Sequence, residues 1–222
     1  MFATHSIGLA RAASDEIYLV RRVAQGKGKV QSLEGTPALA EFMGELSLSG
    51  YKELGYSTVL LVEGPTELRT IQRLLRPYRI EHKVVLVPLG GGSMIRPDVS
   101  EALLEIKRLT EPVYALIDSE RVNADSELDR DRAGFVTSCE AAGVDCHVLV
   151  RRAIENYFPK HAVREALGDS FDSLGPYDKL AESTKPWGKQ NNWRIADMMT
   201  REDIEETDLG EFLCRIKAAV AD

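Results

Sequence analysis

Three short apolar runs constrain this chain of 222 residues more than any other feature. Thr58 to Val62, Val84 to Leu89 and Val113 to Ile117 carry Val, Leu and Ile almost without interruption. Such runs suit strands covered on both faces, as in a parallel sheet. Asp145 to Val150 is a fourth strand with a more polar start. Helical stretches separate them: Pro65 to about Arg76, with Leu68, Ile71, Leu74 and Leu75 at helical spacing, then Pro97 to Leu109, then about Asp129 to Ala142. The β-α-β-α-β-α-β alternation predicts a central parallel sheet with right-handed crossovers and helices on both faces, an α/β Rossmannoid domain. From about residue 158 the chain reads as a helical extension, broken at Gly175-Pro176 and Lys185-Pro186-Trp187-Gly188 and closing on a helix from Asp208 to Ala219.

Residues 1–56 form a separate region in this reading, with the α/β domain at 57–222. Ile17 to Val20 and Lys29 to Leu33 predict a hairpin about the turn Gln25–Gly28. Thr36 and Pro37 then cap and open a helix reaching about Leu48. Gly26-Lys27 and Gly28-Lys29 lack the spacing of a phosphate loop.

Composition narrows the function classes. The net charge of -7 is unlike a general electrostatic nucleic-acid binder, yet metal-binding carboxylates are themselves acidic and divalent ions reverse the local field. Cys139, Cys146 and Cys214 are odd in number and contain no CxxC, which predicts reduced thiols in a cytoplasmic protein rather than a disulfide framework or zinc ribbon. No run approaches the roughly 18 apolar residues of a membrane span, and no signal peptide is visible.

The acidic residues fall where ligands of open parallel sheets bind, outside the carboxyl ends of the strands. Glu63 directly follows the first strand, and Glu67 lies in the first turn of the next helix. Asp118 and Glu120 follow the third strand, two apart, where alternation would point them to one side. Glu155 follows the fourth. Each has a plain alternative: Glu67 favours the helix dipole, Asp118 and Ser119 suit a turn, and Glu155 could pair with Arg151 or Arg152. Jointly they are better explained by Mg²⁺ or Mn²⁺, hard ions that take oxygen ligands. Two such ions can activate water and stabilise the leaving oxygen of a phosphodiester. Lys189 is the candidate for stabilising charge on the phosphate, with Lys185 as its local competitor.

These motifs resemble a known family. Glu63-Gly64-Pro65-Thr66-Glu67 is similar to the EGxxE opening of the Toprim nuclease region of OLD-family (overcoming lysogenization defect) ATPase-nucleases. Leu116-Ile117-Asp118-Ser119-Glu120 resembles its DxD motif, with Glu120 in place of the second aspartate. Arg151 to Tyr157 resembles its R-x-IENY stretch, and Gly188-Lys189 falls where the family carries its catalytic lysine. The resemblance spans about residues 57–195. It implies a metal-dependent nuclease acting on DNA and a role in defence against phage or foreign DNA. By it, Glu63, Glu67, Asp118, Glu120 and Glu155 hold metal or orient metal-bound water, with Glu63 and Lys189 catalytic. Phe2-Ala3-Thr4-His5-Ser6 and Ala13 to Val20 resemble the switch-histidine segment of an ABC-type ATPase. With no Walker motifs upstream of His5, the expectation is no ATP site in this chain, a fragment or split system, and an ATPase domain as partner, with a homodimer also possible. Alternatives are a non-catalytic Toprim module docking a partner ATPase, or a Toprim enzyme acting on RNA.

Other signals read as structural. His82, His147 and His161 lack metal-ligand spacing. Trp187 and Trp193 suit core packing or base stacking, Arg151 and Arg152 a salt bridge to the acidic cluster or DNA backbone, and Gly90-Gly91-Gly92 a bare turn or a phosphate approach. The acidic run from Glu202 to Glu211 reads as a solvated helix and its cap.

Overall fold

The computed structural model describes residues 18–22, 28–32, 56–90, 94–109 and 111–220. β1 (Tyr18–Arg22) and β2 (Gly28–Ser32) pair antiparallel with Val20 opposite Val30, so the expected hairpin forms. His5 and the helix expected from Thr36 to Leu48 lie outside the described residues, as do Gly91 and Gly92.

The four runs fold as β3 (Thr58–Val62), β4 (Val84–Pro88), β5 (Val113–Ile117) and β6 (Asp145–Val148). Their order is β4-β3-β5-β6 and every pairing is parallel. The central strands β3 and β5 are buried throughout, which their unbroken apolar sequence requires. β6 is an edge strand and tolerates Asp145 and His147. It ends two residues sooner than expected. Leu149 N–H still donates to Ile117 O at 3.0 Å, but Val150 N–H leaves the ladder for the Asp208 carboxylate at 2.9 Å.

The two-residue period of a strand divides the core in two. Leu60, Val62, Leu86 and Leu116 pack on one face against Ile71, Leu74 and Leu75 of α1 (Pro65–Leu75). Val59, Leu61, Val87 and Ile117 pack on the other against α2 (Ser100–Leu109) and α3 (Arg130–Ala142). Leu60 and Leu61 are each fully buried, worth about 1.5–3 kcal/mol apiece. Proline at the first position opens α1 as expected. α2 starts three residues later than expected because Asp98 adopts a left-handed φ of 64°, which no helix continues through. Asp129 caps α3 by accepting from Arg132 N–H at 2.9 Å, and Gly143 ends it with φ 67°.

The chain after β6 folds as α4 (Lys160–Leu167), α5 (Asn192–Asp197), α6 (Glu202–Glu205) and α7 (Asp208–Val220), with short 3-10 turns between. Val163, Ile195, Ile204, Phe212 and Ile216 join the core on the α1 side. The extension therefore covers one face of the sheet and shares its core. No helix among the described residues is long and apolar enough to cross a membrane.

Candidate active site

The parallel sheet places the carboxyl ends of its strands on one edge. β3 delivers Glu63 there, β5 delivers Asp118, and the 3-10 turn Ile154–Tyr157 after β6 delivers Glu155. Glu63 Oε2 accepts from Asp118 N–H at 3.4 Å, and Asp118 Oδ1 accepts from Ile154 N–H at 3.1 Å. Asp118 is 6% exposed and Glu155 2%. Glu67, one turn into α1, folds back so that its Oε2 lies 2.9 Å from where a Cβ on Gly64 would stand. Glu63, Glu67 and Asp118 line a small cleft with walls from Ile71, Leu116 and Ile154.

The extension returns Lys189 to this edge. Its Nζ lies 3.2 Å from Glu155 Oε1, and Asn192 Nδ2 donates to the same oxygen at 2.9 Å. Trp187 is buried, as the core-packing reading has it, and its Nε1 donates to Asn192 Oδ1 at 3.0 Å. Trp193 is half-buried, with the Arg73 guanidinium 5.4 Å over its ring. Lys185 is engaged elsewhere, on Ser170 Oγ and over the Phe171 ring.

Burial and crowding of like charge dominate the electrostatics. Burial, then the charges of Glu155 and Glu63, pushes the Asp118 carboxyl well above the ordinary range, with Lys189 opposing. Burial also raises Glu63; Arg132 and the Asp118 N–H offset part of this, while Glu67 and Glu120 add to it. For Lys189, burial alone would favour the neutral amine, but Glu155 and Asp118 outweigh it and hold the ammonium above the ordinary lysine value. Lys189 is therefore a cation at neutral pH.

Glu120 is placed differently from the other four. Alternation from Asp118 would turn it to the same side, but its φ of 55° is left-handed, and its own N–H donates to Arg152 O at 2.9 Å. Its carboxylate pairs with the Arg152 guanidinium, which also donates to Glu120 O at 3.0 Å and Arg121 O at 3.1 Å. Its charge is still felt at Glu63. Ser119 Oγ donates to Arg151 O at 2.9 Å, tying this loop to the strand-end segment after β6. Arg151 donates to Asn156 O at 2.7 Å and lies over the Tyr157 ring, so of the two arginines Arg152 makes the salt bridge to the acidic set.

Three residues that the sequence reading did not single out organise this edge. Arg132 donates to Glu63 Oε1 at 3.1 Å, Asp118 O at 2.8 Å and Asp129 Oδ2 at 2.8 Å, joining α3 to two strand ends. Asn192 anchors Glu155. Its signal was a polar residue in helical phase with Ile195, Ala196 and Met199, all buried. Asp208 accepts from Tyr157 O–H at 2.7 Å and Val150 N–H at 2.9 Å, and pairs with His147 Nε2 at 2.9 Å. It is thus a clamp holding α7 to the turn that carries Glu155, and not part of a solvated acidic helix. His147 also stacks on Phe212, and His161 lies 3.4 Å from Asp203, both structural positions.

The clamp has a pH signature. Burial would raise the Asp208 carboxyl, but hydrogen bonds from His147, Tyr157 and Val150 outweigh it and lower it below 3.8. A depressed carboxylate contributes stability above its unfolded value, and loses it as pH falls through the folded value. Asp208→Asn should therefore cost about 1–3 kcal/mol at neutral pH, and the gap from wild type should close as pH falls below about 4. Denaturant unfolding of both proteins across this range measures it; a gap independent of pH would contradict the clamp.

The donor set suits a hard divalent cation in kind: every candidate ligand is a carboxylate oxygen, and Glu63, Glu67 and Asp118 line one small cleft. Its spacing is not yet that of a ligated ion, since no group of three or more His, Cys, Asp or Glu among the described residues is placed to hold a metal. Arg132 and Lys189 take up Glu63 Oε1 and Glu155 Oε1 instead. Comparison with protein-family models, curated proteins and solved structures gave no match for this chain.

Proposed function

We propose that this chain is a divalent-cation-dependent nuclease of the OLD-type Toprim kind, hydrolysing DNA phosphodiester bonds at the carboxylate edge. The observation that carries this reading is the meeting of Lys189 with Glu155, beside Asp118 and Glu63, from parts of the chain far apart in sequence. Converging carboxylates repel and add nothing to folding; with a cation among them the same convergence is favourable.

Asp118, Glu67, Glu63 and Glu155 would hold Mg²⁺ or Mn²⁺. When bound, the cation supplies Lewis acidity toward the phosphoryl oxygen and the attacking water. Lys189, protonated and half-exposed, binds a non-bridging phosphate oxygen, while Glu155 and Asn192 aim its ammonium. Glu63, oriented by Arg132 and the Asp118 N–H, would receive the proton that water loses as its oxygen bonds to phosphorus. The P–O bond opposite the attack breaks, and the leaving oxygen takes a proton from solvent water. Glu120, paired with Arg152, would act on the edge only after release from that arginine.

The same reading makes DNA the substrate, an ABC-type ATPase domain the partner and defence against foreign DNA the role. The free thiols Cys139, Cys146 and Cys214 suit a cytoplasmic setting. The test is cleavage of supercoiled plasmid by wild type and Glu63→Ala in Mg²⁺ or Mn²⁺. Nicking or linearisation by the wild type alone is expected. Equal cleavage by the variant, with its fold intact by circular dichroism, would dismiss this site.

A further inference from the structure

We infer, resting on the nuclease reading above for the ligand, that the seam between α1 and α5 is a track for a single nucleic-acid strand. The strand would lead away from the carboxylate edge, with Trp193 as the platform for one of its bases.

Both helices begin at the edge. α1 opens just after Glu63 and Gly64, and α5 opens just after the turn that carries Lys189. They pack side by side, and Asp197 at the end of α5 ties them together. The Arg73 and Arg76 guanidiniums lie 3.2 Å and 3.5 Å from the same oxygen, Asp197 Oδ1. Arg69, Arg73 and Arg76 recur at helical spacing, so they form one stripe along α1, on the face opposite Ile71, Leu74 and Leu75. At about 1.5 Å of rise per residue the stripe is about 10 Å long, the length of about three nucleotide steps.

Trp193 lies beside this stripe, with the Arg73 guanidinium 5.4 Å over its ring. It is half-buried and, unlike Trp187, joins neither hydrophobic core among the described residues. An indole left outside the core adds little to folding, whereas an aromatic ring among cations is what proteins that hold single strands use to stack bases. From Pro65 to Arg76 and from Lys189 to Asp197 the cations are Arg69, Arg73, Arg76, Lys189 and Arg194, against Glu67 and Asp197, in a chain of net charge -7. Arg73 and Arg76 share one carboxylate, so their pairing leaves a positive charge over, and Arg194 is exposed. Surface ion pairs at these distances contribute little to stability. The chemistry that fits the seam is a phosphate backbone on Arg73, Arg76 and Arg194, one base unstacked onto Trp193, and the scissile phosphate at Lys189.

Fluorescence anisotropy of a labelled single-stranded DNA oligonucleotide in EDTA, across a series of salt concentrations, reads binding without cleavage. Trp193→Ala should weaken binding about 10-fold or more at an unchanged salt slope, and Trp193→Phe, which keeps a ring, should recover part of it. Arg73→Gln with Arg76→Gln should lower the slope of log affinity against log salt by about 1.4, for two phosphate contacts at about 0.7 each. Arg215→Gln with Lys217→Gln, the same charge change on α7, should leave that slope near the wild-type value. Circular dichroism checks that each variant is folded. Wild-type affinity in Trp193→Ala or in the Arg73 and Arg76 variant would overturn the track and leave the nuclease reading standing. So would a wild type that cleaves plasmid in Mn²⁺ but does not bind the strand. A wild type that does neither would remove the nuclease reading, and the track with it.

Discussion

Asp118→Asn should make the metal-free chain more stable while abolishing cleavage. Asp118 is nearly fully buried, receives one backbone hydrogen bond from Ile154, and stands among the charges of Glu155, Glu63 and Glu67. Asparagine keeps an oxygen for the Ile154 N–H and replaces a repelled charge with a neutral amide. Relief of that repulsion should be worth about 1–2 kcal/mol, the usual yield of relaxing a strained functional site. In a chain of this size each kcal/mol raises the melting temperature by about 2–4 °C. The same change removes the most central donor of the proposed cation site, so cleavage should fall by about 10³-fold or more, roughly 4 kcal/mol of transition-state stabilisation. Thermal melts in EDTA and plasmid cleavage in Mn²⁺ read the two effects separately. A lowered melting temperature would mean that the charged carboxylate is a structural partner in the fold and carries no repulsion that a cation must relieve.

Lys189→Ala should lower cleavage by about 10²–10³-fold, the usual loss when one group stabilising transition-state charge is removed. Unlike Asp118→Asn, it should leave Mn²⁺ bound, and more tightly than in wild type. The reason is that Lys189 competes with the ion for Glu155 Oε1. The fold should survive, since Lys189 is half-exposed and Asn192 still satisfies Glu155. Arginine at this position should recover part of the activity. Loss of Mn²⁺ binding in Lys189→Ala would assign the lysine to holding the carboxylates in place rather than to the phosphate. Unchanged cleavage would remove it from the reaction altogether.

The sheet and its edge were legible because strands write their surroundings into their composition. Thr58–Val62 and Val113–Ile117 are unbroken apolar runs because both faces are covered, and the residue after each run stands at the edge by geometry alone. Glu63 and Asp118 could be placed that way, whereas Glu155 stands in a 3-10 turn several residues beyond the end of β6. Lys189 could be named as a candidate beside Lys185 but not placed by pattern, since the 3-10 turn that holds it has no periodicity. Glu120 escaped because alternation assumes extended backbone, and a left-handed residue breaks that assumption without any glycine to announce it. Arg132 escaped for a different reason. Its place three residues after the Asp129 cap predicts a backbone bond, while the reach of its guanidinium to Glu63 depends on how α3 lies across β3 and β5. Asp208 was hidden in a run of acidic residues whose average is solvated, although the stripe Leu209, Phe212, Leu213 and Ile216 behind it marks where that helix turns inward.

The most direct measurement is a time course of supercoiled plasmid with the wild-type chain, first in EDTA and then after Mn²⁺ is added in excess of the chelator. No cleavage before the addition, and nicked or linear product accumulating after it, is the predicted result. Cleavage that proceeds in EDTA, or a plasmid left intact after Mn²⁺, would contradict a cation-dependent nuclease at the edge formed by Glu63, Asp118 and Glu155.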